Sequence, residues 1–200
     1  MTHQALPALI ERLGNHGYAV VEGYFDRRLC HQLRCEAEAL ASDELAIDAG
    51  VGRGEAHLKD AQIRRARIRW MDRTTSAQVE FLAEAEVIRV EINRQLYLGL
   101  FAFDAQLALT PPGGFYARHV DSFRGHRNRV VSLVAYLNEG WQEAHGGCLR
   151  LWPPHAPATS IDIVPQCATL VLMLSEDVAH EVLPANRARS SVAGWFSLRP

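Results

Sequence analysis

Apolar and polar positions recur along this chain with two different periods. Behind Asp26, the residues Leu29, Leu33, Ala37 and Leu40 fall on one stripe at a spacing of three or four, which predicts a helix capped by Asp26 and running to about Ser42. A second helical block, SAQVEFLAEAEVIRVEINRQLYLGL, follows from Ser76, with Val79, Leu82, Ile88, Ile92 and Leu96 supplying a broad apolar face. Ahead of the first helix, YAVVEGYF reads as a strand ending at Gly23. From about residue 103 the period shortens, and FDAQLAL, RVVSLVAYL, CLRLW, SIDIV, ATLVLML and SVAGWFSL alternate with turn signals at Pro111-Pro112, Gly146-Gly147 and Pro153-Pro154. Such spacing predicts antiparallel strands closed into a sandwich or barrel. The expected architecture is α+β with a mainly β core: one domain over 1–200, a helical and β lead-in over 1–102, and the β core over 103–200.

Between the two helices lies AIDAGVGRGEAHLKDAQIRRARIRWMD. Gly50, Gly52 and Gly54 alternate there, but no lysine and serine follow as a phosphate-binding loop requires, so a mobile loop over about 46–62 is the better reading. Arg64, Arg65, Arg67 and Arg69 read as a solvated strand face around Ile63, Ile68 and Trp70. A contact surface for a partner is the sharper alternative.

Composition narrows the class. With 200 residues, 48% hydrophobic and 22% charged, the chain can bury one sizeable core. A net charge of -2 gives no basic footprint, so nucleic acid is not an expected partner. Glu11 and Arg12 interrupt any secretory apolar segment, and the longest apolar run, Cys167 to Leu174, is far short of the roughly 20 residues that cross a bilayer. The expectation is a soluble cytoplasmic protein that does not engage membranes. Cysteines 30, 35, 148 and 167 lack Cys-x-x-Cys spacing and read as buried thiols in a reducing compartment.

The candidate chemistry begins at GGFYARHVDS. His119 and Asp121 are separated by Val120 alone, and residues i and i+2 of an extended segment share a side about 7 Å apart at their Cα atoms. Both could therefore reach one ion, with His180 in SEDVAHEVLPANRARSSVAGWF as the leading third ligand from another strand. Two imidazoles and one carboxylate on one face of an octahedron leave three positions open, the arrangement of non-haem Fe(II) oxygenases. A tetrahedral zinc hydrolase is the competitor, although HEVLP lacks the second histidine of the helical zinc-protease motif. If 2-oxoglutarate chelates the iron, its far carboxylate needs a fixed cation, and arginine offers a bidentate fork that stays charged when buried. Arg189, nine residues after His180, is placed for that role, with Ser191, Ala193 and Trp195 on its face of the last strand. Arg187 and Arg199 are alternatives expected to face solvent.

Taken together, GGFYARHVDS, NRVVSLVAYLNEGW, GGCLRLWP and HEVLPANRARSSVAGWF resemble the 2-oxoglutarate and Fe(II) dependent oxygenases, in particular the prolyl 4-hydroxylase-like branch that includes the oxygen-sensing enzymes. The resemblance runs from about Gly113 to Phe196, while HGYAVVEGYF and IRRARIRWMD are similar to the first strand and the strand after the mobile loop. It implies a double-stranded β-helix, or jelly roll, with supporting N-terminal helices. It implies Fe(II) held by His119, Asp121 and His180, with 2-oxoglutarate and O2 as cosubstrates and ascorbate as a stimulant. Arg189 would grip the cosubstrate, Tyr136 would donate a hydrogen bond to the same carboxylate, Leu149 would pack on it, and Trp195 corresponds to the late tryptophan. Tyr116 and Arg129 match positions beside the substrate entrance. A carboxylate ligand, which related halogenases lack, favours hydroxylation. The implied activity is hydroxylation of a proline-containing protein or peptide, with a small-molecule substrate of the same mechanism, and a non-catalytic metal-binding barrel, as alternatives. Two departures are visible: Leu109 stands ten residues before His119 where the branch often has tyrosine, and Ala193 stands where it has threonine.

Overall fold

A computed structural model describes residues 6–43, 46–48, 66–122 and 129–199. The loop expected at 46–62, apart from 46–48, and Arg64 and Arg65 lie outside the described residues.

Helix α1, Leu6–His16, buries Leu6, Leu9, Ile10 and Leu13, a helical spacing to which the periodicity above assigned no element. Strand β1, Tyr18–Val21, follows it directly. Helix α2, Arg27–Ala39, is capped as expected, the Asp26 carboxylate accepting from the Arg28 backbone N–H at 2.7 Å. It stops before Ser42 because its end tightens: Leu40, Ala41 and Ser42 each donate to the carbonyl three residues back. Helix α3, Ser76–Leu96, is capped by the Thr75 side chain and closed by Tyr97 in the left-handed region at φ 54°. Its buried face is narrower than expected and runs through Ala77, Phe81, Ala85, Ile88 and Ile92, leaving Val79 49% exposed. The helix needs only one stripe against α1 and α2, so the wider apolar face outruns the contact available.

The remaining strands are β2 Ile47–Asp48, β3 Arg67–Trp70, β4 Ala102–Thr110, β5 Tyr116–His119, β6 Arg129–Tyr136, β7 Leu149–Trp152, β8 Ile161–Ile163, β9 Leu170–Leu174, β10 Ala179–Val182 and β11 Arg189–Ser197. They form a seven-stranded sheet in the order β1-β9-β6-β11-β4-β3-β2 and a four-stranded sheet in the order β5-β10-β7-β8. Paired strands are antiparallel throughout these sheets. This is the jelly-roll architecture with the helices laid over the outer face of the larger sheet.

Alternation along the central strands sorts the core into two layers. Leu107, Leu133, Leu170, Leu172, Val192 and Phe196 join the cluster under the helices. Tyr136, Leu149, Leu151, Val171 and Met173 fill the space between the sheets. Strand β9 is apolar at consecutive positions because both of its faces are covered, which is why ATLVLML shows no period of two. Gly194 in β11 leaves room for a neighbouring ring: an added Cβ would run into the Phe103 side chain.

The arginines of β3, Arg67 and Arg69, are partly exposed on one face of the strand and are also tied to neighbouring chain. Arg67 donates to the carbonyl oxygens of Ala41 at 2.8 Å and Asp43 at 2.7 Å, and Arg69 pairs with the Asp43 carboxylate at 3.3 Å. They tie β3, next to the sheet edge, to the chain leaving α2. No helix among the described residues is long and apolar enough to cross a membrane.

Candidate metal centre and pocket

His119 ends β5 and His180 lies in β10, and the two are direct Cα partners across that strand pair. Their ring centroids are 4.2 Å apart. Asp121 joins them by a different route from the extended spacing expected of His-x-Asp. The chain leaves β5 after His119 and bends, held by the N–H groups of Asp121 and Ser122, which both donate to the Ser175 carbonyl at 3.0 and 3.1 Å. One ligand atom from each of His119, Asp121 and His180 then lies within 4.8 Å of the others. Asp121 Oδ1 is 3.5 Å from His119 Nε2, and Oδ2 is 3.8 Å from His180 Nε2.

The hydrogen bonds around the imidazoles fix their tautomers. His119 Nδ1 is 2.7 Å from the Ala117 carbonyl and His180 Nδ1 is 3.1 Å from the Val178 carbonyl. A carbonyl only accepts, so each Nδ1 carries a proton, and Nε2 is the ring nitrogen turned toward the carboxylate. His119 Nε2 is buried with no hydrogen-bond partner. Burial holds the His180 pKa below its ordinary value, with His119 adding to the effect and Asp121 opposing it. Burial alone would raise the Asp121 carboxyl, but the facing His180 and His119 imidazoles and the Ser132 hydroxyl outweigh it and hold the group well below the usual carboxylate range. Two imidazole Nε2 atoms and one carboxylate converge on one point. The donor set fits a divalent cation on one face, with the opposite side open to a cavity.

That cavity has a volume of about 410 Å³ and is lined by the three ligands together with Tyr136, Leu149, Arg189 and Trp195. Arg189 opens β11 and is 6% exposed, its guanidinium donating to the Gly147 carbonyl at 3.1 Å while Nε has no partner. The guanidinium carbon sits 5.6 Å from the centre of the Tyr136 ring. The Tyr136 hydroxyl is buried and unpartnered, and burial pushes its pKa up to about 12 against the opposing charge of Arg189. A buried cation beside an unpartnered phenol has the chemistry to accept one anionic group. Gly146 and Gly147 make this approach possible: both have positive φ, and a Cβ on Gly146 would lie 2.6 Å from the Pro184 carbonyl oxygen.

Ser191, Ala193 and Trp195 line the same cavity while Val192 and Phe196 turn to the helix side, the alternation expected for β11. Toward the mouth, the Tyr116 ring stacks on His119 at 3.6 Å, the Arg129 guanidinium lies 3.9 Å over the Trp195 ring, and Trp70 approaches Trp195 at 5.9 Å. Arg187 and Arg199 stack instead on Trp141 and Phe101. Leu109 is not a cavity residue. It belongs to the core beneath the helices, and the β4 side chains that reach the cavity are Gln106, Ala108 and Thr110, with Thr110 the register partner of Arg189. Counting back from His119 selects the wrong position because strand parity, not sequence distance across a loop, decides which side chains face inward.

Several contributors carried no motif. Ser132 donates to Asp121 Oδ2 at 2.6 Å, and Ser175 Oγ is 2.8 Å from Ser132 Oγ. Gln106 is 1% exposed on the cavity wall with its amide nitrogen unpartnered. Parity along RVVSLVAY and FDAQLALT could have flagged Ser132 and Gln106, which share a face with Tyr136 and Thr110 respectively. Nothing local marks Ser175.

Comparison with known proteins agrees with this geometry. The model of the 2OG-Fe(II) oxygenase superfamily matches residues 105–197. A hypoxia-inducible factor prolyl hydroxylase of Caenorhabditis elegans is 37% identical over 95 residues, which are 46% of this chain and 13% of that longer protein. A prolyl-4-hydroxylase structure from Pseudomonas putida superimposes with a TM-score of 0.87 at 38% identity, covering 98% of this chain and 100% of that one. A prolyl hydroxylase from Trichoplax adhaerens, solved with a peptide fragment of the hypoxia inducible factor oxygen degradation domain, gives 0.85 at 21% identity over 97% and 89% of the two chains. With its triad, its two-sheet frame and near-complete overlap with a relative of this identity, the chain belongs to the 2OG-Fe(II) oxygenase superfamily, in its prolyl-hydroxylase-like branch.

Proposed function

We propose that this protein is a 2-oxoglutarate- and Fe(II)-dependent dioxygenase that hydroxylates a prolyl residue of a protein or peptide in the cytoplasm. The observation that carries the reading is the His119, Asp121 and His180 triad on the wall of a cavity that also holds a buried arginine with an unpartnered nitrogen. Ferrous iron held by those three side chains would supply dioxygen activation coupled to oxidative decarboxylation of 2-oxoglutarate to succinate. Arg189 binds the far carboxylate of the cosubstrate through its guanidinium fork, and the neutral Tyr136 phenol donates beside it. Leu149 packs on the cosubstrate's methylene groups, and the apolar wall it shares with Val134 excludes water from the reacting end. At the mouth, Tyr116, Arg129 and Trp195 orient the substrate against the metal side of the cavity.

A prolyl substrate is supported by the names and identities of the Pseudomonas and Caenorhabditis relatives, and a peptide ligand by the exposed apolar rim of Ile47 and Trp70 beside the cavity. The cytoplasmic setting is supported by four free cysteines.

The test is anaerobic reconstitution with Fe(II) and 2-oxoglutarate, followed by oxygen. A weak visible charge-transfer band, then succinate, then a one-oxygen mass gain on proline-containing peptides is the expected sequence. Mass gain on free amino acids and none on peptides would move the substrate to the small-molecule class. A folded protein that gives no band would overturn the site itself.

A further inference from the structure

The two oxygens of the Asp121 carboxylate are not equivalent. Oδ2 accepts the Ser132 hydroxyl at 2.6 Å, while Oδ1 lies toward His119 Nε2 at 3.5 Å. Ser132 Oγ is also 2.8 Å from Ser175 Oγ. A hydroxyl has one proton and an ionised carboxylate has none, so the Ser132 proton is committed to Asp121. The second contact then has one solution, in which Ser175 donates to Ser132. The result is a directed chain from Ser175 through Ser132 to Asp121, with both serines 2% exposed or less.

Ser175 acts on Asp121 a second time through its backbone. Its carbonyl accepts from the N–H groups of Asp121 and Ser122, and its own N–H donates to Val130 at 3.0 Å, two residues from Ser132 in β6. One residue just past β9 thus fixes both the backbone bend that brings Asp121 to the histidines and the rotation of its carboxylate.

We propose that Ser132 and Ser175 are positioning residues that hold Asp121 as a one-oxygen ligand. The Ser132 hydroxyl anchors Oδ2, so turning the carboxylate to share the ion equally between both oxygens would stretch that short bond, and the anchored rotamer favours Oδ1 as the ligand atom. A two-oxygen grip would consume a coordination position that a chelating cosubstrate needs. This inference rests on the metal reading of the triad and is independent of the substrate. Loss of a hydrogen bond that orients a ligand typically weakens metal binding by about 10–100-fold.

The experiment titrates the full-length protein with Co(II) in the absence of cosubstrate, following the visible ligand-field bands, alongside the melting temperature of each metal-free variant. Ser132→Ala is expected to raise the Co(II) dissociation constant about 10–100-fold and to change the band shape, with a metal-free melting temperature near that of the parent. Ser175→Ala, which leaves the Ser132 hydroxyl in place but unoriented, should give a smaller loss in the same direction. Ser132→Thr keeps the hydroxyl and should restore affinity and spectrum. Parent-like affinity and spectrum in Ser132→Ala would overturn the proposal, as would a Ser132→Thr variant as weak as Ser132→Ala, which would assign the effect to packing. If Ser132→Ala does not fold, Ser175→Ala decides alone: unchanged Co(II) binding would overturn the chain. His180→Ala separates this outcome from failure of the metal site, since Co(II) binding that survives that change would refute the triad and not merely the serines.

Discussion

His119 and His180 are register partners across β5 and β10, so the two imidazoles that the primary structure separates widely are cross-strand neighbours. Their nearness is a property of sheet pairing, and each is locked by its own Nδ1 bond to a carbonyl two residues back. His180→Ala should therefore leave the frame standing and remove one donor from the metal. Metal affinity should fall by more than about 100-fold, beyond the loss typical of an outer partner. Metal content after dialysis against a fixed free-metal buffer checks this, with the melting temperature of the metal-free protein as the control for folding.

Arg189 donates to the Gly147 carbonyl and otherwise faces the cavity beside Tyr136. Removing it should weaken 2-oxoglutarate and spare the metal. A charge-assisted hydrogen bond contributes about 1.5–3 kcal/mol, so Arg189→Ala should lower cosubstrate affinity by at least about 10–100-fold. Arg189→Lys, which keeps the charge and loses the fork, should fall between. Calorimetric titration of the metal-loaded protein with 2-oxoglutarate, together with metal content, measures both effects.

Tyr136 makes an alkaline prediction. Its phenol is pushed up to about 12 by burial, against an ordinary value near 10, so the folded state favours the neutral, proton-donating form. The stability this contributes is fully present below about pH 10 and is lost as pH rises through about 12, a change of about 2–3 kcal/mol for a shift of this size. Urea unfolding of the parent and of Tyr136→Phe across pH 9–12 tests it. The parent should lose the extra stability over that window and the variant should not; parallel curves would mean that Tyr136 does not carry the shift.

Gly146 and Gly140 both have positive φ, at 67° and 59°, but only Gly146 faces an obstacle, the Pro184 carbonyl oxygen, which would lie 2.6 Å from an added Cβ. Gly140→Ala should cost only the left-handed penalty of about 1–2 kcal/mol. Gly146→Ala should cost more, by about 1–3 kcal/mol of steric strain, and it should also weaken 2-oxoglutarate because the adjacent Gly147 carbonyl braces Arg189. Thermal unfolding and cosubstrate titration of the two variants side by side check the difference.

The helices and strands were legible where burial is local. Asp26 caps α2 as its sequence suggests, and the six β-rich segments all appear as strands, because β-rich composition bounded by turn residues, like capping, depends on the immediate neighbours of each residue. The order and spacing of His119, Asp121, His180 and Arg189 likewise identify a candidate metal and anion site from the chain alone. Tertiary structure decided the rest. Val79 is exposed because α1 and α2 cover only one stripe of α3. Thr110, not Leu109, faces Arg189 because the pairing of β4 with β11 sets parity. Asp121 reaches the histidines through a bend held by Ser175, and its carboxylate is turned by Ser132, contacts made across strands that no local pattern records. Sequence determined which residues could bind; the pairing of distant strands determined which atoms of them are free to do so.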